Sequence, residues 1–340
     1  MNRRAFINNS LWTVAALSGS RAWSSVAQLT GNKDSWSLIL LPDTQYYSQE
    51  FPEVFLSQTR WIAEKRDELN IQYVLQLGDI TNMNSEPEWE NARNCFAVLD
   101  DAKIPYAFVT GNHDYRPVAT RETKLNEYLP YKKYAAWPTF GGALKTGDMQ
   151  NTYHLFEAGG EKWLLLALEW GPRNEVVKWG NKIVAANSDR NVIVFTHAYL
   201  YSDSTRYNWA EKGKDQTWNP HSYPMPESND GEELWQKLVK KHPNVKMTFN
   251  GHVLNNGTGF LESTGDAGNK VCQMLINFQG GVRPLPRDGT APERQTIRDD
   301  GSLRILQFTP GSKTVKVTDY SPYRNYYAVG EAHQFRFDLG

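Results

Sequence analysis

Four consecutive residues, Gly111-Asn112-His113-Asp114, set an amide, an imidazole and a carboxylate directly after the apolar run 104–109. Side chains of these three types can ligate a cation or move a proton. Their place just past a strand-like run is the crevice where α/β proteins keep their chemistry. Gly-Asn is also a common turn pair and Asp a common helix cap, so the tetrad alone leaves an ordinary turn open. The pattern recurs, however. The run 36–41 leads to Asp43-Thr44-Gln45, 71–77 to Gly78-Asp79, 191–195 to Thr196-His197, and 245–249 to Asn250-Gly251-His252. Alternating strands and helices usually make neighbours of one sheet, and in one sheet these side chains converge.

The elements that must position them read as follows. Residues 51–69 carry Phe51, Val54, Phe55, Trp61, Ile62 and Leu69 at helical spacing, and 86–99 set Trp89, Ala92, Phe96 and Leu99 on one helix face. Residues 151–157 and 162–169 form a hairpin across Ala158-Gly159-Gly160, and Pro172 stands near the start of a helix ending at about Ala186. Residues 199–231 have no sustained period and are rich in Tyr, Trp, Asn, Ser and Pro. A loop of that length is uncommon unless it has a function or is disordered, and its place between two candidate strands makes it a wall or lid of the site. Beyond 254 the strand-like runs 271–278, 303–308, 314–318 and 334–337 follow one another without a helix, which suggests a second sheet packed on the first. Residues 280–300 form another long loop.

At the start, Arg3-Arg4-Ala5-Phe6-Ile7 precedes the short apolar stretch 11–17 and small-residue cleavage options at 20–22 and 25–27. Residues 1–28 therefore read as a twin-arginine signal peptide, which predicts export to the periplasm or beyond, and residues 29–340 as a single domain. The apolar stretch is much shorter than the ~20 residues needed to span a bilayer. A net charge of −1 argues against a nucleic-acid footprint. The two cysteines, Cys95 and Cys272, lie in amphipathic or apolar stretches where buried free thiols are usual.

In order, Asp43-Thr44-Gln45, Gly78-Asp79, Gly111-Asn112-His113-Asp114, Thr196-His197 and Gly251-His252-Val253-Leu254 make the chain resemble the calcineurin-like metallophosphoesterase superfamily over about 38–254. The resemblance implies a four-layer αββα sandwich of two mixed β-sheets flanked by helices. It also implies two divalent metal ions, with Asp79 bridging, with Asn112, His197 and His252 completing one site, and with Asp43 serving the other. Mixed carboxylate, amide and imidazole ligands suit Mn, Fe or Zn. The implied reaction is hydrolysis of a phosphate ester, mono- or diester, by in-line attack of a metal-bound hydroxide. His113 would protonate the leaving oxygen or steady the transition-state charge, with Asp114 orienting its ring.

Two positions depart from the family pattern, both in the Asp43 site. Gln45 stands where a histidine is usual, and Leu254 cannot ligate. That site keeps Asp43, Asp79 and the Gln45 carbonyl, oxygens that favour a harder and more weakly held ion. Asn82 and Arg116 are expected at the substrate's phosphate oxygens. His221 is a lesser candidate for a replacement ligand and Glu169 for a site residue, whereas His154 reads as a packed histidine. The expected partner is a small-molecule or glycan-linked phosphate ester, not nucleic acid. The competing expectation is a catalytically degenerate one-metal protein that binds glycans or phosphorylated ligands through its aromatic loops.

Overall fold

The computed structural model describes residues 35–279 and 301–340. The expected signal peptide at 1–28 and the loop at 280–300 lie outside the described residues. The strands are β1 (Trp36–Leu41), β2 (Ile71–Gln76), β3 (Tyr106–Phe108), β4 (Phe140–Ala143), β5 (Thr152–Ala158), β6 (Glu161–Ala167), β7 (Asn191–Phe195), β8 (Val245–Asn250), β9 (Thr258–Thr264), β10 (Lys270–Ile276), β11 (Leu303–Phe308), β12 (Thr314–Ser321), β13 (Tyr326–Tyr327) and β14 (Gln334–Asp338).

They form two sheets. One runs β13-β12-β11-β1-β2-β3 with β14 also paired to β12, and the other runs β4-β5-β6-β7-β8-β10-β9. Both are mixed. β1, β2 and β3 are parallel while β11 joins β1 antiparallel, and β6, β7, β8 and β10 are parallel while β5 and β9 flank them antiparallel.

Alternation along each central strand divides its side chains between two cores. Leu38 and Leu40 of β1 face the layer between the sheets, where they meet Leu165, Ile193, Phe195, Met247 and Phe249 of the opposite sheet. Ile39 and Leu41 point the other way, onto the helices Pro52–Lys65 and Glu86–Asp101. In the second sheet Leu164, Leu166, Val192 and Val194 pack outward against the helix Asn174–Ala186. Strands covered on both faces read as continuous apolar runs for this reason. The result is the four-layer αββα sandwich. Trp36 lies in the middle layer, stacked on Phe308 with centroids 4.1 Å apart and edge-on to Trp163.

The helix Glu86–Asp101 starts where Glu88 accepts the Ser85 N–H at 3.1 Å, a capping box that fixes its first turn. Trp89, Ala92, Phe96 and Leu99 are fully buried beneath it, as their spacing requires. The hairpin β5–β6 also stands where alternation placed it.

Two expectations fail here. The late strands do not build the second sheet: β11, β12 and β14 extend the first sheet beside β1, and only β10 joins the second. Nor do the candidate residues come from one sheet. Asp43, Asp79 and Asn112 follow β1, β2 and β3, whereas His197 and His252 follow β7 and β8 of the other. A strand's pattern reports that its faces are buried and does not report which strand lies beside it, so a chain that leaves one sheet and returns to it cannot be told from one that moves on. Cys95 and Cys272 are free and buried.

Candidate metal centre

The strand ends of both sheets meet at one point. The Thr44 N–H donates to the Asp79 carbonyl at 3.0 Å, which joins the β1 and β2 ends, and the Gly251 N–H donates to the His197 carbonyl at 3.1 Å, which joins those of β7 and β8. Close approach between these segments depends on two glycines. A Cβ on Gly111 would overlap the Asp79 carboxylate and backbone, and one on Gly251 would overlap Asp43 Oδ1. Asp79 and His252 themselves occupy left-handed backbone, with φ of 50° and 74°. Such conformations persist in non-glycine residues where surrounding structure enforces them.

Asp79, His197 and His252 each offer a ligand atom within 4.8 Å of the others, all buried. The hydrogen bonds fix which atoms those are. His197 donates Nδ1–H to the Leu77 carbonyl at 2.8 Å, which turns Nε2 to face Asp79 Oδ2 at 3.2 Å. His252 donates Nε2–H to the Trp218 carbonyl at 2.8 Å, which leaves Nδ1 with its lone pair. Backbone carbonyls thus hold both imidazoles in the tautomer that a cation requires. Asp79 Oδ1 accepts the His113 N–H at 2.9 Å, and Asp43 accepts the His252 N–H at 3.1 Å.

Of the twelve buried side-chain atoms without a hydrogen-bond partner among the described residues, three belong to the candidate ligands: Asn112 Oδ1, Gln45 Oε1 and His197 Nε2, the last facing only Asp79. A buried acceptor left unmatched is costly and rare. That these belong to residues of one centre, together with two carboxylates, fits a donor set for divalent cations. Gln45 is buried with its Oε1 unpartnered, whereas Leu254 is 40% exposed and carries no ligand atom.

The electrostatics agree. Burial raises the Asp43 carboxyl to about 7, with Asp79 adding to it against His197. Burial works the same way on Asp79, but His197 and His113 outweigh it and hold that carboxyl well below its usual range. Burial opposes charge on His197, yet Asp79 and Asp43 lift it to about 9. Burial and the neighbouring His197 push His252 down to about 3. His197 therefore keeps a proton between Asp79 and itself unless another cation takes that place.

A prediction follows for protein stripped with chelator. The folded value of His197 lies above its unfolded 6.5, so its stabilisation is complete below 6.5 and lost as pH rises through about 9. Asp43, raised from 3.8 to about 7, contributes in the same direction over a lower window. Stability of the stripped protein should fall by on the order of 3 kcal/mol between pH 6.5 and 9. Added manganese should oppose the loss, giving a larger rise in melting temperature at pH 8.5 than at pH 6. Thermal melts at both pH values check this, and a manganese effect that is the same or smaller at pH 8.5 would contradict it.

The remaining expected residues divide. His113, half-buried, donates Nδ1–H to the Asn82 carbonyl at 2.9 Å, which leaves Nε2 free. Asp114 does not orient that ring, as had been expected. Its carboxylate accepts the N–H groups of Ile80, Thr81 and Gly111 and the Thr81 hydroxyl, so it ties the two strand-end loops together from beneath. Its position next to His113 misleads because consecutive residues leaving a strand point to opposite sides. Burial and nearby Asp79 raise it to about 6. The Asn82 side chain donates to Gln49, and exposed Arg116 donates to the Asn82 carbonyl at 3.3 Å and to Met83 Sδ at 3.1 Å.

His221 stands apart with Asp230 and Glu233, donating to Glu233 at 2.6 Å. Buried Glu169 is bound by Arg173 at 2.7 Å and Asn151 at 2.8 Å, which is a structural tie. His154 is packed beneath Tyr73, and burial holds it down to about 3.

Asn277 escaped the sequence reading. It directly follows β10, is buried, and donates Nδ2–H to Asp43 Oδ2 at 2.9 Å. The signal was present, since 271–278 is strand-like and Asn277 is another amide at a strand end. Residues 199–231, expected as a wall or lid, reach the centre at two points. They bring the Trp218 carbonyl to His252 and the Tyr223 ring to 5.1 Å from Trp170, which itself lies 4.6 Å from His252.

The chain folds as a two-sheet α/β protein with a candidate metal-ligand cluster where strand ends of both sheets face each other. Residues 39–256 match the family described as calcineurin-like phosphoesterase, and the chain belongs to that family. The uncharacterized protein YvnB of Bacillus subtilis (strain 168) is 31% identical over 318 residues, 90% of this chain and 22% of that protein. The chain thus spans about a fifth of that relative's length. Similar solved structures include a dimetal phosphatase from Danio rerio, at 12% identity over 90% of this chain and 99% of that one, with a TM-score of 0.48. GAP50, the anchor in the inner membrane complex of Plasmodium, is similar at 10% identity over 90% and 88%, with a TM-score of 0.45. Among the described residues no helix is long and apolar enough to cross a membrane.

Proposed function

We propose that this protein hydrolyses a phosphate ester at a centre of two divalent cations, with His113 assisting departure of the alcohol. The observation that carries the reading is the set of ligand atoms of Asp79, His197 and His252 within 4.8 Å, joined by the unpartnered Asn112 Oδ1 and Gln45 Oε1. Asp79 would serve both ions. Asn112, His197 and His252 would hold one, and Asp43 with the Gln45 carbonyl the other. Manganese, iron or zinc suits the first set, and the all-oxygen second set suits a harder ion such as manganese. Bound there, the ions supply Lewis-acid polarisation of the phosphoryl oxygen and activation of the nucleophile at neutral pH.

The chain's own residues do the rest. Asn277 and the His252 N–H orient Asp43. The Asn82 carbonyl fixes the His113 tautomer, so that Nε2 is the atom that carries a proton to the leaving oxygen. Arg116 and the Asn82 amide are the groups proposed for the substrate's phosphate oxygens, and Asp114 holds the loop that presents them. Arg3-Arg4 and the apolar stretch after them support work outside the cytoplasm.

The second reading, a one-metal binding protein, is favoured by Leu254, exposed where the family has a ligand. Elemental analysis decides between the two, before and after incubation with manganese, alongside turnover of a panel of phosphate mono- and diesters. Two ions and turnover are expected. One ion that manganese cannot supplement, with no turnover of any ester, would sink the hydrolase reading.

A further inference from the structure

The geometry points to Trp218 as the residue that selects the alcohol part of the ester, and we infer that this part carries a flat apolar ring. The inference rests on the hydrolase reading above and names its substrate class. Trp218 has φ of +61°, a conformation that is an outlier for a bulky side chain. The loop enforces it from both sides. On one side the Thr217 carbonyl accepts the Tyr207 hydroxyl at 2.9 Å and its own hydroxyl meets that of Tyr201 at 3.1 Å. On the other, buried Asn219 donates to Asp230 at 3.2 Å and accepts the His221 N–H at 2.9 Å.

Between these anchors the Trp218 carbonyl reaches His252, while its indole remains 41% exposed. The fold fully buries Trp89, Trp163 and Trp170, so an exposed tryptophan whose own carbonyl is held by His252 is not a packing requirement. Strain of this kind collects where a side chain has to be presented.

Two more large apolar residues are exposed in segments that lead directly from the same centre. Leu254, 40% exposed, lies two residues beyond His252, and Met83, 49% exposed, adjoins the Asn82 carbonyl that holds His113. Among the described residues only Tyr323 and Val329 are other large hydrophobics exposed to this degree. Single exposed apolar residues need no explanation, whereas three in the segments that lead from one centre do. A phosphate drawn inward to the cations leaves its alcohol at this rim. Indole and isobutyl groups offer stacking and dispersion and no acceptor for a polyol, and the one weak acceptor, Met83 Sδ, already takes Arg116.

The test uses the manganese-loaded full chain and two non-hydrolysable ligands, phenylphosphonate and methylphosphonate, titrated by calorimetry. The ring should improve affinity by about tenfold, the scale of one stacking contact. Trp218→Ala should bring the two ligands to within about twofold, and Trp218→Phe should restore most of the preference. Metal content of each variant is measured, because a residue that only buttressed His252 would lose metal without changing the ratio of the two affinities. Leu254→Ser, on the exposed rim, should lower the preference by about threefold and serves if Trp218→Ala does not fold. Equal binding of both ligands to wild type that still turns over esters overturns the inference and spares the hydrolase reading. A preference that persists in Trp218→Ala, or in Leu254→Ser should the former not fold, also overturns it. If neither ligand binds and no ester is cleaved, both readings fall.

Discussion

Asp79→Asn should leave the fold standing and cost the centre at least one of its two proposed metal ions. The side chain is buried, its Oδ1 accepts the His113 N–H, and its Oδ2 faces His197 at 3.2 Å. Asparagine is isosteric and still accepts that N–H. It brings no charge, however, and Asp79 is the one carboxylate that touches the β3 loop and His197 together. Both proposed cations lose a ligand, so elemental analysis should find at most one ion per chain. Turnover should fall by about 10³-fold or more, near 4 kcal/mol of transition-state stabilisation. A second readout needs no substrate. Leaving a buried imidazole without its partner costs about 3–5 kcal/mol, which urea unfolding in chelator at pH 7 should register. Two retained ions with more than a tenth of wild-type turnover would refute the bridging role.

The second large effect is expected from His113→Ala, and its signature differs. His113 is held by a backbone carbonyl and is no member of the ligand cluster, so both ions should remain. Its backbone N–H still reaches Asp79 in the variant. Loss of a general acid typically costs 10²–10⁴-fold, and the cost depends on how badly the departing group needs the proton. An alkyl phosphate, whose alkoxide is a poor leaving group, should lose roughly 10³-fold or more in kcat. A 4-nitrophenyl ester, whose phenolate leaves unaided, should lose at least about tenfold less. Equal losses on both would assign His113 to charge stabilisation or binding instead.

Much of this centre was legible in the chain, for identifiable reasons. Strand-like runs that end in Asp43, Asp79, Asn112, His197 and His252 announced themselves because buried parallel strands must be apolar on both faces and must end where polar groups begin. Order and spacing of those five blocks sufficed for the family, and the helix read at 86–99 was marked by its apolar face, the structure carrying it to Asp101. Asn277 obeys the same rule, standing directly after the apolar strand Lys270–Ile276.

Other features were decided by the tertiary structure alone. The assignment of β11, β12 and β14 to the first sheet depends on which neighbour buries more surface, and a strand's own residues hold no record of that. Asp114 sits beside His113 in sequence, yet its carboxylate turns to three backbone N–H groups from two loops that meet only in the folded chain. The His197 and His252 tautomers are set by the carbonyls of Leu77 and Trp218, 120 and 34 residues away. What the sequence determined by itself is therefore the family and the list of candidate ligands, because residue type and strand-end position are local properties. Which atom of each candidate ligand faces the centre and what braces it were decided in three dimensions, because backbone carbonyls, which every residue carries alike, acquire their particular partners only through packing.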